Sequence, residues 1–239
     1  MKFKLFESKM KFSPASSIEI NNDVYERKKK GEKIVTLSLG ESFFDLPTFK
    51  FKINEEHNHY IETLGLPELR QKLSNYYTKF GTKVSKENII ITQGAKIGIF
   101  ESLLALKNIE KTFSTVAFIE PAWVSYINQI KLAGLNPYSI DITKVQKNDF
   151  SSLKNVDCLV VNNPNNPTGW HMPENTLFQL IEFCRSRNIS LIFDEVYSEF
   201  TTGQFLSGGK YISEDTNHNI IVVNSVSKNL GISGWRLGY

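Results

Sequence analysis

The sequence predicts a three-layer α/β fold with a mostly parallel sheet. From Ile34 onward, short β-branched runs alternate with helical patterns, which is the order of a parallel α/β unit. The runs are nearly continuously apolar, as strands become when helices cover both faces. With 239 residues, the chain is long enough to bury one large core.

Residues 1–33 read as an arm followed by one polar helix, and 34–239 as the main domain. Arg27-Lys28-Lys29-Lys30 suits a solvated helix C-terminus, and Gly31 is placed to cap it. Strands are expected at Ile89–Thr92, Thr115–Ile119, Asp157–Val161, Ile189–Phe193 and Ile220–Asn224. Helices are expected at Pro67–Lys79, Ala95–Lys107, Trp123–Ala133 and Pro173–Arg187. Pro67 and Pro173 sit where a first-turn proline is tolerated, while Gly81 and Gly134 act as stops. The last helix carries Leu177, Leu180, Ile181 and Cys184 on one side.

Composition excludes several classes. A formal net charge of +3 is too mild for nucleic-acid or membrane-surface binding. Cys158 falls in an apolar run and Cys184 on a helical face, so both read as core residues in a reducing compartment. No N-terminal apolar leader and no stretch of membrane-span length stands in the sequence, and a cytoplasmic protein is expected.

Ligands of open α/β sheets bind beyond the carboxyl ends of the strands. Each expected strand exits into polar or aromatic residues there. These are Gly94-Ala95-Lys96, Glu120-Pro121-Ala122-Trp123, Asn163–Gly169, Asp194–Tyr197 and Ser225–Lys228. Arg236 follows in Gly234-Trp235-Arg236-Leu237-Gly238-Tyr239. A lysine able to form a Schiff base, an aspartate after an apolar run and a serine/arginine anion clamp are what pyridoxal phosphate chemistry requires. His57 and His59 flank Asn58 but lack companion ligands, so no metal site is expected. Gly208-Gly209-Lys210 lacks the downstream Ser/Thr of a phosphate loop and reads as a turn.

Together these motifs resemble the large domain of a class I/II aminotransferase, of the fold-type I pyridoxal-phosphate enzymes. The resemblance runs from Ile34 to Tyr239. It implies that Lys228 bonds the cofactor and shuttles the substrate proton, and that Asp194 pairs with the pyridine nitrogen. It implies that Tyr197 and Asn166 donate to the phenolic oxygen and that Trp123 stacks on the ring. The phosphate would be held by the amides of Gly94, Ala95 and Lys96, by Ser225 and by Arg236. Tyr60 matches the tyrosine of a Y-x-x-x-x-G pattern that reaches the neighbouring subunit's phosphate, which implies a homodimer.

Thr92-Gln93-Gly94-Ala95-Lys96 and Pro121-Ala122-Trp123-Val124-Ser125-Tyr126 resemble motifs of the aspartate/prephenate subgroup. In that group the lysine can face a distal carboxylate, a role expected of Lys96. Ala95 and Ile97-Gly98-Ile99 depart from the subgroup pattern and leave the amino acid and 2-oxo acid open. Relatives also continue into a C-terminal small domain bearing the arginine that grips the substrate carboxylate. Of the five arginines, Arg27, Arg70, Arg185 and Arg187 fall on helical patterns away from the strand exits. The small domain is therefore expected to be missing, and the chain to bind cofactor but transaminate poorly. A same-fold lyase or decarboxylase, and a non-catalytic cofactor-binding module, are the alternatives.

Overall fold

A computed structural model describes residues 16–36, 40–42, 44, 50, 55–212 and 220–239. The chain divides into two compact units, Met1–Glu41 and Ser42–Tyr239. In the first unit the described helix is α1, Ser16–Lys29, with Arg27, Lys28 and Lys29 in its last turn. Gly31 turns left-handed at φ +83° and donates to the Lys28 carbonyl at 2.9 Å, closing the helix as expected. The arm expected before α1 lies outside the described residues.

The second unit carries the sheet. Its strands are β1 (Thr115–Glu120), β2 (Asn136–Asp141), β3 (Cys158–Asn162), β4 (Ser190–Asp194) and β5 (Ile220–Val223). Their order is β2-β1-β3-β4-β5, and each adjacent pair is parallel. The helices are α2 (Pro67–Tyr77), α3 (Ala95–Ile109), α4 (Ser125–Leu132), α5 (Ile142–Gln146), α6 (Glu174–Arg185) and α7 (Val226–Asn229).

Strand side chains alternate between faces, and this splits the core in two. Ala117, Ile119, Leu159, Val161, Leu191 and Phe193 pack with Leu177, Leu180, Ile181 and Cys184 of α6. Val116, Phe118, Cys158, Val160, Ile192 and Val223 pack with Ile99, Leu103 and Leu106 of α3 and Tyr126 and Ile130 of α4. Each fully buried leucine or isoleucine contributes about 2 kcal/mol by its removal from water. The central strands β3 and β4 are buried at every position, so their polar residues, such as Asn162 and Asp194, must find partners inside the fold.

The structure corrects four sequence readings. Ile89–Thr92 joins no ladder; Thr92 instead forms an antiparallel bridge with Gly238, exchanging two hydrogen bonds of 2.8 Å. The edge strand Asn136–Asp141 had no apolar signature, because most of its residues are exposed and Pro137 is tolerated at an edge. The short helix α5 follows, with the Asp141 carboxylate accepting the Thr143 N–H at 2.7 Å. Pro173 precedes its helix as the cap residue, one position earlier than expected.

The order places a switch point between β1 and β3. The chain leaves β1 toward β2 on one side, then returns to build β3, β4 and β5 on the other. Crevices at such points receive ligands, because the loops after the two strands diverge. Asn165 Nδ2 donates across this crevice to the Pro121 carbonyl at 3.2 Å.

Candidate active site

One end of the crevice is cationic. α3 starts at Ala95 with Gly94 as its cap, at φ +89° and without a side-chain cap. The first amides of a helix point outward and favour an anion. Arg236 lies over this start: its Nη2 donates to the Gln93 carbonyl at 3.3 Å, just before the helix, and its Nη1 to the Ser233 carbonyl at 2.8 Å. A Cβ at position 94 would overlap the guanidinium, and one at Gly238 would overlap the backbone of Gly94 and Ala95. Gly94 is thus required by its positive φ and Gly238 by the close approach of backbone. The Lys96 ammonium stands 5.0 Å from the centre of the Trp123 ring. Desolvation, then the nearby Arg236 charge, lowers its pKa.

Ser225 enters this end at the start of α7. Its Oγ accepts the Ser227 N–H at 3.3 Å, and its own N–H donates to Asn224 Oδ1 at 2.7 Å. Asn224 is fully buried and also donates to the Tyr77 and Ser198 hydroxyls at 3.1 and 3.2 Å. Its backbone exchanges hydrogen bonds of 2.9 and 3.0 Å with Tyr239. The entrance to α3, the exit of β5 and the last residues are held as one piece.

The other end is acidic. Asp194 is 4% exposed at the end of β4. Tyr126 donates its hydroxyl to Asp194 Oδ2 at 2.5 Å, and the Val196 N–H approaches Oδ1 at 3.4 Å. Burial pushes the Asp194 carboxyl up to about 6, against the lowering effect of those two bonds. In the β3–β4 register Asn162 stands beside Asp194. Asn162 Nδ2 donates to the Asp194 carbonyl at 3.0 Å, while its Oδ1 accepts the Asn166 N–H at 2.6 Å. Asn166 Nδ2 in turn donates to the Tyr197 hydroxyl at 3.3 Å. Lys228 Nζ lies 5.8 Å from the centre of the Tyr197 ring. Burial, then the Asp194 charge, raises the Tyr197 pKa.

Lys228, Tyr197, Asn166 and Asp194 are thereby linked through one set of contacts, and Gly94, Ala95, Lys96, Trp123 and Arg236 through another. Tyr126 joins the two sets, meeting Trp123 edge-on at 5.4 Å and 85°. Tyr60 is not drawn in; its ring is fully exposed. Arg70 is committed elsewhere, donating to the carbonyls of Gly65 and Lys86 and pairing with Glu62. Arg185 pairs with Glu182 on α6.

A family profile, aminotransferase class I and II, matches residues 32–239. The chain belongs to this family. Class I and II aminotransferases are pyridoxal-phosphate enzymes of fold type I. Aspartate aminotransferase of Pyrococcus horikoshii is 32% identical over 91% of this chain and 58% of its own length. A probable aspartate/prephenate aminotransferase of Aquifex aeolicus is 30% identical over 95% of this chain and 60% of its own. The structure of Thermus thermophilus aspartate aminotransferase with maleate superposes with a TM-score of 0.79 at 26% identity, covering 95% of this chain and 61% of that one. The chain thus spans about three-fifths of the length of the relatives it matches.

Three buried residues around this crevice were not among the expected site residues. Tyr126 was visible as the end of Trp123-Val124-Ser125-Tyr126, three positions after the tryptophan, a spacing that brings side chains together in a helical turn. Asn162 closes an apolar run, where a polar residue must find buried partners. Glu195, fully buried, accepts from Ser207 Oγ at 2.8 and 3.0 Å and from the Gly208 N–H at 2.8 Å. Only its position after Asp194 could have marked it. Gly208-Gly209-Lys210, read as a turn, is the short helical turn that delivers these donors.

Proposed function

We propose that this chain binds pyridoxal 5′-phosphate in the crevice and belongs to an enzyme moving an amino group between an amino acid and a 2-oxo acid. The observation that carries the reading is the polarity of the crevice. A cationic helix start under Arg236 is linked through Trp123 and Tyr126 to the buried Asp194 carboxyl, and Lys228 stands beside Tyr197.

The residues present fit that group. The opening of α3 and the Arg236 fork beside Gly94 suit a phosphate. Asp194 keeps Oδ1 with a single long contact among the described residues, so it can accept one more N–H. When bound, the cofactor condenses with amines, and its protonated ring takes up the electrons released when the substrate's α-proton leaves. Asp194 holds the proton on the ring nitrogen, since a buried carboxylate favours a neighbouring positive charge. Asn166 and Tyr197 orient the ring's oxygen, and Trp123 covers its face. Ser225, Gly94, Ala95, Lys96 and Arg236 hold the phosphate. Lys228 Nζ would attach the cofactor and, once the substrate's amine has displaced it, would carry the proton taken from the substrate's α-carbon.

The likeness to aspartate aminotransferases supports a dicarboxylic substrate, with Lys96 facing its distal carboxylate. Exposure of Tyr60 supports a homodimer in which this ring reaches the phosphate of a second copy. The two buried free thiols, Cys158 and Cys184, accord with a cytoplasmic protein.

The test is direct. The chain is titrated with pyridoxal phosphate, reduced with borohydride and mapped by mass spectrometry. Label on Lys228 is expected; label on another lysine, or none, refutes the reading. Addition of aspartate to the loaded chain should release 2-oxo acid slowly. In a version as long as the relatives, Lys96→Ala should lower the preference for aspartate and glutamate over neutral amino acids, and an unchanged preference rejects the Lys96 role. Light scattering checks the dimer.

A further inference from the structure

The geometry points to Tyr126 as a positioning residue that sets both the ring-nitrogen contact and the stacking wall of the cofactor site. This rests on the cofactor reading above. Tyr126 is 2% exposed, so its hydroxyl has no recourse to bulk water. That hydroxyl donates to Asp194 Oδ2 at 2.5 Å, which occupies one carboxylate oxygen and leaves Oδ1 to meet an incoming donor. The same ring supports Trp123 edge-on at 5.4 Å and 85°. The Tyr126 N–H also donates to the Trp123 carbonyl at 3.2 Å, which fixes the turn that presents the indole.

Two loops from different strands are therefore registered through one side chain. Asp194 leaves β4, Trp123 leaves β1, and β3 lies between those strands. Without the phenol, the carboxylate could rotate about its terminal torsion, which is broad for aspartate. The hydroxyl also stabilises the charged form of Asp194, since it donates to it. Tyr126 acts through Asp194 and Trp123, the two residues its ring and hydroxyl contact.

A double-mutant cycle in the full 239-residue chain tests this. Tyr126→Phe keeps the ring against Trp123 and removes the hydroxyl. It should weaken pyridoxal phosphate binding by about tenfold, the loss expected for one hydrogen bond to a charged group. In an Asp194→Asn background the same substitution should change binding by less than about twofold, because the partner charge is already gone. The visible absorption of the bound cofactor, which responds to protonation of the ring nitrogen, should shift in Tyr126→Phe and not shift further in the double variant. Parent-like affinity and spectrum in Tyr126→Phe overturn the inference. So does an equal loss in both backgrounds, which marks a merely structural role. If Tyr126→Phe does not fold, Tyr126→His, which keeps a ring and an N–H donor, takes its place. It should bind within about threefold of the parent, and loss of the spectral signature in a folded Tyr126→His chain overturns the inference. Failure of the parent itself to bind pyridoxal phosphate refutes the proposed function instead.

Discussion

Replacing Asn162 by alanine removes one side chain that serves two loops of the site. Asn162 is 6% exposed, with its Nδ2 on the Asp194 carbonyl and its Oδ1 on the Asn166 N–H. The Asp194 carbonyl keeps a second donor, the Asn163 N–H at 3.1 Å, so the first loss is a single bond of about 1 kcal/mol. The Asn166 N–H loses its acceptor on a half-buried loop, which costs roughly 1–2 kcal/mol. The sum is roughly 2–3 kcal/mol, or a melting temperature lowered by about 5–10 °C for a chain of this size. Asn166 and Asp194 are both assigned to the cofactor, so affinity for pyridoxal phosphate should also fall, by about tenfold. Thermal melts followed by circular dichroism and titrations followed by tryptophan fluorescence measure the two effects. A melt within about 1 °C of the parent (~0.3–0.5 kcal/mol) together with unchanged affinity would refute the reasoning.

Further outcomes are expected elsewhere in the molecule. Burial raises the Glu195 carboxyl from 4.5 to about 8, so the folded chain retains a proton that the unfolded chain loses. This contribution makes stability fall as pH rises from about 4.5 to about 8, and Glu195→Gln should flatten that fall in urea midpoints measured at about pH 5 and about pH 8; an unchanged slope counts against it. Gly208→Ala would drive a methyl into the Phe193 ring, and a loss of roughly 1–3 kcal/mol is expected from denaturant unfolding. Arg236→Lys replaces a planar fork by a point charge, so pyridoxal phosphate should bind about tenfold more weakly while pyridoxal, which lacks the phosphate, binds as before. Equal weakening of both ligands would show that Arg236 does not serve the phosphate.

The amino-acid sequence by itself determined the α/β class, four of the five strands and the polar loops that follow those four. These are local properties. Apolar runs, periodicities and turn residues report the burial that a segment needs, and a site at strand ends inherits its place from the strands. The family motifs likewise lie in short contiguous stretches around Lys228, Asp194 and Asn166. Tertiary structure alone decided what has no local signature. The edge strand β2 is largely exposed and polar, so only its pairing with β1 makes it a strand. The Thr92 run reads as a strand in sequence yet bridges residues far along the chain, at Gly238. Tyr126, Asn162 and Glu195 acquire their roles from partners on other elements, because a buried polar group takes its meaning from whichever donor or acceptor the fold brings to it.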